Sequence, residues 1–305
     1  MSDTPKHGSR IDEPTGTETV GHEWDGIEEL NTPLPRWWLL TFYATIVFAI
    51  GYVVVYPAIP LAHGGTPGLW NWSSRGDLVK ETASANAARA ATINALAATP
   101  IEALPARPEL MKAAVAGGRA AFRVNCVQCH GAGAAGSKGY PNLNDDDWLW
   151  GGTLGEIQQT ITHGVRVAAD DQTHTSLMPS FGKDGILKPA EVSDVASYVR
   201  SLSGLEPKGA GARRGSAIFA ANCVVCHGPE AKGNRALGAP NLTDAIWLYG
   251  SSKDDVEASV TQAHAGVMPA WGGRLDPVTI KMLAAYVHSL GGGEASPAGP
   301  TTATK

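Results

Sequence analysis

The sequence has no cluster of positively charged residues. It contains 24 Lys and Arg against 29 Asp and Glu, which gives a formal net charge of −5. The first 36 residues hold three basic and eight acidic residues, so this segment alone accounts for the excess, and the rest of the chain is balanced. Because nucleic-acid binding requires a basic stripe or patch, the sequence indicates no nucleic-acid partner.

Cysteine is also scarce, and none of the four cysteines lies outside two short motifs. A Cys pair followed directly by His is the attachment signature of haem c. On a helical turn, positions i, i+3 and i+4 share one face. Each motif therefore offers two thiols for covalent attachment and one imidazole to the iron, which predicts two covalently bound haem c groups. The motifs are Cys126-Val127-Gln128-Cys129-His130 and Cys223-Val224-Val225-Cys226-His227.

Two other interpretations of a Cys-x-x-Cys pair have to be weighed. A single pair fits a thioredoxin-like redox motif, and four Cys with two His fit one zinc centre. Zinc sites space their two pairs by roughly 15 to 20 residues. Here the pairs lie 97 residues apart and each carries its own His, which favours haem attachment.

Methionine is rare, with five in the chain. Three of them are not candidates for haem ligation: Met1 is the first residue, Met111 precedes the first motif, and Met282 lies within a terminal helix. Met178 and Met268 each precede Pro, 48 and 41 residues beyond the His of their copy, and are predicted as the second axial ligands, His130 and His227 being the first. The histidines also considered are His163 and His264, which fit helix ends or solvent contacts better, and His174, the alternative ligand for the first haem.

Charge is absent from residues 37–56. At about 20 residues this stretch crosses about 30 Å of hydrocarbon as one helix, with aromatic residues at both ends. A cleaved signal peptide would have a basic start and a shorter apolar core. Arg36 precedes the stretch and the next basic residue is Arg75, so the N-terminus is predicted in the cytoplasm and the haem motifs outside the inner membrane.

The chain repeats itself around the two motifs, with an insertion at 166–177 in the first copy only. Each copy predicts three helices around a pocket, with Thr153 and Ser252 as caps of the second helix and Asp276 as cap of the last. No strand-like alternation is present, so the soluble part is predicted to be all-α. The matched features are Gly118 and Gly215, Phe122 and Phe219, Pro141-Asn142-Leu143 and Pro240-Asn241-Leu242, Met178-Pro179 and Met268-Pro269, and Tyr198-Val199 and Tyr286-Val287.

These features divide the chain into six parts. They are a cytoplasmic N-terminal segment (1–36), a transmembrane helix (37–56), a periplasmic linker (57–110) with an Ala-rich helix over 77–99, a first cytochrome c domain (111–205), a second (209–291) and a flexible tail (292–305).

The combination resembles the di-haem subunit III of cbb3-type cytochrome c oxidase over nearly the whole chain. The haem motifs fit many cytochromes, whereas the segment before the apolar stretch is specific. The resemblance implies an all-α fold with one N-terminal transmembrane helix followed by two tandem class I cytochrome c domains. The specific segment comprises residues 22–31 (HEWDGIEELN) and 33–38 (PLPRWW).

The resemblance implies an electron-transfer subunit of a proton-pumping oxidase of the bacterial inner membrane. Electrons arrive from a cytochrome c or from a quinol:cytochrome c reductase and leave through a mono-haem subunit to the catalytic haem–copper subunit. With both axial positions filled, the chain itself is predicted to be non-catalytic. The alternatives are the cytochrome subunit of a periplasmic dehydrogenase and a di-haem peroxidase. Asp145, Asp146 and Asp147 are predicted either to form an acidic docking patch or to lie in a solvated loop.

Overall fold

The computed structural model describes residues 8–295 and divides the chain into two compact units. The first unit ends at Ala88 and the second begins at Arg89. Residues 1–7 and 296–305, which include the start of the predicted cytoplasmic segment and most of the predicted flexible tail, lie outside the described residues.

The first unit begins with a small antiparallel sheet, which the sequence analysis did not predict. Its strands are β1 (Ile11–Asp12), β2 (Thr17–Trp24) and β3 (Ile27–Leu30), paired in that order. Asp25 and Gly26 join β2 to β3 with φ of 51° and 84°. Two positive φ values are required by the tight turn whose twist matches a hairpin, and an Asp-Gly pair supplies them. The expectation of no strands was therefore wrong here, although the protein is mostly helical.

The apolar stretch forms one helix, α1 (Arg36–Val55), as predicted within one residue at each end. It is the single helix in the described part of the chain that is long and apolar enough to cross a membrane. None of its residues is buried against the protein. A short hairpin of β4 (Pro60–Leu61) and β5 (Gly64–Gly65) follows, and then α2 (Ser74–Ala98), which confirms the Ala-rich helix.

Over its described residues, the second unit contains the end of α2, one 3₁₀ helix and eight further α-helices. The predicted caps are present: Thr153 forms a capping box with Glu156, Ser252 accepts from the Asp255 N–H, and Asp276 accepts from two N–H groups of the last helix. The elements are a 3₁₀ helix (Ile101–Ala106), α3 (Pro108–Asn125), α4 (Val127–His130), α5 (Leu154–His163), α6 (Pro189–Leu202), α7 (Ala210–Asn222), α8 (Val224–His227), α9 (Lys253–Thr261) and α10 (Pro277–His288).

The last helix of each copy packs against the first helix of the other copy. Helix α10 lies against α3, and α6 lies against α7. Phe122 and Tyr286 contact edge to face at 5.3 Å between ring centroids, and Phe219 and Tyr198 are 5.3 Å apart. The expectation that each copy closes its own three helices around a pocket was therefore wrong, because the copies exchange their last helices.

Two glycines allow these helices to approach closely. A Cβ on Gly118 of α3 would overlap the carbonyl oxygen of Met282 in α10, and a Cβ on Gly215 of α7 would overlap that of Asp194 in α6. Any larger residue would push each pair of helices apart. The repeated glycine before each haem motif is thus explained by backbone contact with a helix of the other copy.

The exchange produces two lobes, each with its own buried core. Lobe A consists of the 3₁₀ helix, α3, α4, α5 and α10, with a core that includes Leu104, Phe122, Leu154, Ile157 and Leu283. Lobe B consists of α6, α7, α8 and α9, with a core that includes Phe181, Val192, Val195, Phe219 and Val256. Lobe B is therefore continuous in sequence, whereas lobe A is assembled from segments on both sides of it.

The two segments that connect the lobes, 164–177 and 262–267, run side by side. The Val165 N–H donates to the Met268 carbonyl oxygen (2.9 Å), and the Met268 N–H donates back to Val165 (3.1 Å). Arg166 Nη1 donates to the Gly266 carbonyl oxygen (2.7 Å). Met268 is thus the first residue after the connection that returns to lobe A, and it is hydrogen-bonded to the connection that runs from lobe A to lobe B. Most of that second connection is the insertion unique to the first copy.

Candidate haem sites

Each Cys-x-x-Cys-His motif forms one tight turn at the end of a long helix. The His130 N–H donates to the Cys126 carbonyl oxygen (3.0 Å), and the His227 N–H donates to that of Cys223 (2.9 Å). The helical geometry brings both thiols and the imidazole to one side, as the spacing predicts. The two turns match because they have the same spacing and hydrogen bonds.

The surroundings of the first thiol of each motif do not favour a reactive thiolate. Burial, assisted by the neighbouring Cys, raises the pKa of Cys126 and of Cys223 to about 11. A dithiol redox centre needs the opposite shift, because the thiolate is the reactive species. The thioredoxin-like interpretation is therefore disfavoured at both motifs.

The histidine of each motif has its ring fixed in the tautomer that a metal ligand needs. His130 Nδ1 lies 3.2 Å from the Pro141 carbonyl oxygen, and His227 Nδ1 lies 3.1 Å from that of Pro240. A carbonyl oxygen only accepts, so Nδ1 carries the proton and Nε2 keeps its lone pair. Burial lowers the pKa of both rings, which keeps them neutral.

The methionines lie in the lobes opposite to those expected from sequence distance. Met268 packs against the core of lobe A, as does Cys126. Met178 packs against the core of lobe B, as does Cys223. Each methionine therefore shares a core with the haem motif of the other copy, and the sequence expectation that each Met serves the His preceding it in its own copy does not match this placement.

The three other candidate histidines have protein partners. His163 Nδ1 lies 3.0 Å from Asp170 Oδ2. His174 stacks on Trp150 at 4.2 Å, with Nε2 3.1 Å from the Thr160 hydroxyl. His264 stacks on Tyr249 at 3.7 Å. The partners of these three histidine rings lie outside both haem motifs.

Comparison with known proteins identifies the family. The N-terminal domain of cytochrome oxidase-cbb3, FixP, matches residues 16–63; cytochrome c matches 115–203; and cytochrome c oxidase, cbb3-type, subunit III matches 210–287. The chain is 56% identical to a cbb3-type cytochrome c oxidase subunit FixP of Bradyrhizobium sp. (strain ORS 278), over 94% of this chain and 99% of that one.

It is also 51% identical to a subunit CcoP of Cereibacter sphaeroides, over 92% of this chain and 97% of that one. The chain belongs to the FixP/CcoP family, subunit III of cbb3-type cytochrome c oxidase. This FixP/CcoP chain has one haem motif inside each of the two cytochrome c matches, so it carries two covalent haem c groups.

The indole of Trp247 supports the fit of a haem in lobe B of this FixP/CcoP chain. Its Nε1 is buried and has no hydrogen-bond partner. A buried N–H that donates to no acceptor destabilises the folded protein, so nearly all such groups in proteins have a partner. The unpaired indole N–H therefore indicates that a bound group supplies the acceptor. The carboxylates of a haem are acceptors of this kind. The equivalent indole in lobe A, Trp148, instead donates to the Gly292 carbonyl oxygen at 2.6 Å.

The segment after α10 contributes to lobe A, which the sequence analysis did not predict. Besides the Gly292 carbonyl that accepts from Trp148, Glu294 binds the backbone of Gly152 through its own N–H (2.9 Å) and pairs with Arg235 (2.6 Å). The first residues of the segment predicted as a flexible tail thus hold fixed contacts. The polar, Gly-rich sequence of this segment contains no pattern that predicts these contacts.

Of the three aspartates considered as a docking patch, Asp146 and Asp147 line a polar cleft of about 510 Å³. Asp145 and Asp147 are half-buried and Asp146 is exposed. Burial, and then the charges of Asp244 and Asp145, raise the pKa of Asp147 to about 6. Lys232 and Arg235 line the same cleft, so its charge is mixed rather than acidic.

Proposed function

We propose that this chain relays single electrons through two haems c to the catalytic haem–copper subunit of a cbb3-type oxidase. The donor is a cytochrome c or a quinol:cytochrome c reductase, and the acceptor is a mono-haem cytochrome c subunit. The observation that carries the proposal is that each lobe brings a motif histidine, beside the core ring of Phe122 or Phe219, and a methionine to the same apolar core. A site with both axial positions filled transfers electrons and leaves no position for oxygen.

The proposed ligand sets follow the lobes rather than the copies. Cys126 and Cys129 would hold the haem of lobe A, with His130 and Met268 as iron ligands. Cys223 and Cys226 would hold the haem of lobe B, with His227 and Met178 as iron ligands. A haem c bound in this way would supply a one-electron ferric–ferrous couple, whose potential a thioether ligand would raise.

The protein's own residues supply position and electrostatics. The carbonyl oxygens of Pro141 and Pro240 fix the histidine rings, and burial keeps those rings neutral. Each methionine is half-buried and packs against a core built from apolar residues of both copies. The chain therefore needs no catalytic residue of its own.

Absorption spectroscopy on single-haem variants tests the ligand sets. Replacing Cys126 and Cys129 by Ala leaves only the lobe B haem, and Met178→Ala in that background should abolish the near-infrared sulfur-to-iron band. Met268→Ala in the same background is the matched control and should preserve the band. The reverse result would establish pairing within copies, and a band kept in both would exclude methionine ligation.

The mirror-image background, with Cys223 and Cys226 replaced by Ala, repeats the test for lobe A. There, Met268→Ala should remove the band and Met178→Ala should keep it. Counting haem per chain in every variant shows whether a lost band reflects a lost ligand or a lost haem.

The proposal includes the domain divisions and orientation given by the sequence. The segment 1–36 faces the cytoplasm, 37–56 spans the inner membrane, and 57–110 links the anchor to the cytochrome c domains (111–205 and 209–291), with its 3₁₀ helix packed into lobe A. The tail is 292–305, and its first residues contact lobe A. A single candidate span in the described residues and the Arg36 bias support this arrangement. Reporter fusions after residue 7 and after residue 70 should report cytoplasm and periplasm respectively.

Purification in a mild detergent tests the choice of complex. The haem–copper subunit should copurify with this chain. Copurification with a flavin or quinone dehydrogenase instead would favour the alternative of a dehydrogenase cytochrome.

A further inference from the structure

The N-terminal hairpin presents two large apolar side chains at its tip. Trp24 and Ile27 are directly opposite each other across β2 and β3, and each is 71% exposed. The intervening Asp25-Gly26 turn fixes both side chains on one face of the ribbon. The tip is therefore a small rigid apolar patch.

Folding of the sheet does not account for this patch. The buried position of the sheet is Thr19, whose side-chain oxygen accepts from the Arg10 N–H (3.1 Å). Trp24 and Ile27 lie at the far end of the ribbon and remain exposed. Two adjacent exposed apolar side chains on a rigid turn form a candidate contact surface.

The rim of the patch is acidic. Residues 8–36 hold seven acidic and two basic residues. Glu29, two residues beyond Ile27 on β3, is exposed on the same face as the apolar pair. Glu23 and Glu28 form the next cross-strand pair and lie on the opposite face, where Arg10 Nε donates to Glu28 at 2.8 Å. Asp25 lies in the turn itself. An acidic rim opposes binding to an anionic lipid surface and favours a basic protein surface.

The hairpin cannot move far from the membrane. Strand β3 ends at Leu30 and α1 begins at Arg36, so residues 31–35 are the only link. Five extended residues span at most about 18 Å. The patch thus stays within reach of the cytoplasmic loops of neighbouring membrane proteins.

The hairpin also lies within the region matched by the N-terminal domain of cytochrome oxidase-cbb3, FixP, at residues 16–63. The first haem motif, by contrast, lies in a match to cytochrome c in general. A surface in the oxidase-specific region fits a partner within the oxidase better than a soluble electron donor.

We propose that the hairpin tip, Trp24 and Ile27 with its acidic rim, docks this chain onto basic cytoplasmic loops of an integral membrane subunit of the oxidase. Cytoplasmic loops of membrane proteins carry an excess of Lys and Arg, which complements the rim. The apolar pair supplies the contact and the carboxylates supply the orientation. The proposal depends on the proposed function and orientation.

The test uses the full-length chain in membranes that contain the tagged haem–copper subunit. Trp24→Ser with Ile27→Ser should lower the amount of this chain retained on the tagged subunit at least threefold after a wash at high salt. Glu29→Lys, which reverses an exposed charge on the face of the apolar pair, should lower retention already at low salt. Ile11→Ser is the matched control, because Ile11 is 69% exposed on β1 of the same sheet, and it should leave retention unchanged.

A photo-cross-linking residue at position 27 identifies the occupant directly. A cross-link to an integral oxidase subunit is expected, and cross-links to lipid alone would overturn the proposal. Unchanged retention of both hairpin variants would also overturn it, while haem content verifies that the variants fold. Absence of the haem–copper subunit from wild-type preparations would instead refute the proposed function, so the two failures are distinguishable.

Discussion

The indoles of Trp148 and Trp247 occupy equivalent positions in the two copies but have different hydrogen bonds. Trp148 donates to Gly292, and the Trp247 N–H is buried without a partner. The two haem sites are therefore electrostatically different, although the sequence repeats. The difference arises because the chain continues past α10 and folds back onto lobe A, whereas lobe B has no such segment in the described residues.

We predict that Trp247→Phe lowers the midpoint potential of the lobe B haem. Without the indole donor, the charge of a haem carboxylate is less neutralised, which favours the ferric state. A loss of about 1 kcal/mol at the iron changes its ferric-to-ferrous ratio roughly fivefold at a given applied potential. Redox titration of the two haems measures this, and Trp148→Phe, whose indole has another acceptor, serves as control. Equal shifts in both variants would contradict the assignment.

Asp147 makes stability depend on pH. Its pKa is raised to about 6, so its carboxyl favours the folded protein only while protonated, and this contribution is lost as pH rises through about 6. Asp147→Asn should therefore increase the free energy of unfolding by about 1 kcal/mol at pH 8, after allowance for solvent screening. The gain should vanish near pH 4.

Denaturant unfolding at pH 4, 6 and 8 measures this dependence. Asp146→Asn, at the exposed neighbouring position, is the control. A gain that is independent of pH would show that the substitution acts through packing rather than charge.

At the scale of helices, complementary side chains match the exchanged partners. Asp194 of α6 binds Arg214 of α7 through two bonds of 2.6 and 2.7 Å. The equivalent positions in the other pair of helices are Met282 and Gly117, where Met282 lies over the glycine. Pairing within copies would place Arg214 against Met282 and Asp194 against Gly117, so the exchanged arrangement is the one that satisfies both charges.

A double-mutant cycle tests this selection. Gly117→Arg should destabilise lobe A by about 1–3 kcal/mol, because the new side chain must displace Met282. Adding Met282→Asp should recover a large part of this loss, since it reproduces the ion pair of lobe B. Thermal or denaturant unfolding gives the coupling energy, and additive effects would mean that these positions do not select partners.

A lysine of α10 binds the carbonyl oxygens at the C-terminal end of helix α2. Lys281 Nζ donates to the carbonyl oxygens of Leu96 (2.7 Å) and Thr99 (2.6 Å). Lys281→Met should weaken the last turn of α2 by about 1–2 kcal/mol, which raises hydrogen exchange at its amides roughly tenfold. Lys80→Met, at an exposed position of the same helix, should leave this turn unchanged.

At the scale of the molecule, each lobe needs segments from both copies. A protease site placed between residues 205 and 209 would cut the chain between α6 and α7, so that each fragment carries one haem motif. Independent domains would separate after the cut. The exchanged helices should instead keep both haem-bearing fragments together in gel filtration, and the fragments should separate only in denaturant.

What the sequence by itself determined is local. The spacing in Cys-x-x-Cys-His places its side chains on one turn, the uncharged run from 37 to 56 is long enough for a span, and the caps at Thr153, Ser252 and Asp276 start helices wherever those helices pack. The hairpin was missed because its strands contain few apolar residues, although Asp25-Gly26 is a turn signal. These features depend on neighbours along the chain.

Only the tertiary structure decided which helices and which methionine complete each lobe. Helices α6 and α10 have matching apolar stripes and tyrosines, so periodicity cannot tell a partner in the same copy from one in the other. The choice depends on contacts between distant positions, such as Asp194 with Arg214 and Gly118 with the backbone of Met282. A repeat makes the alternatives nearly equal in apolar burial, and close packing and charge pairing then select between them.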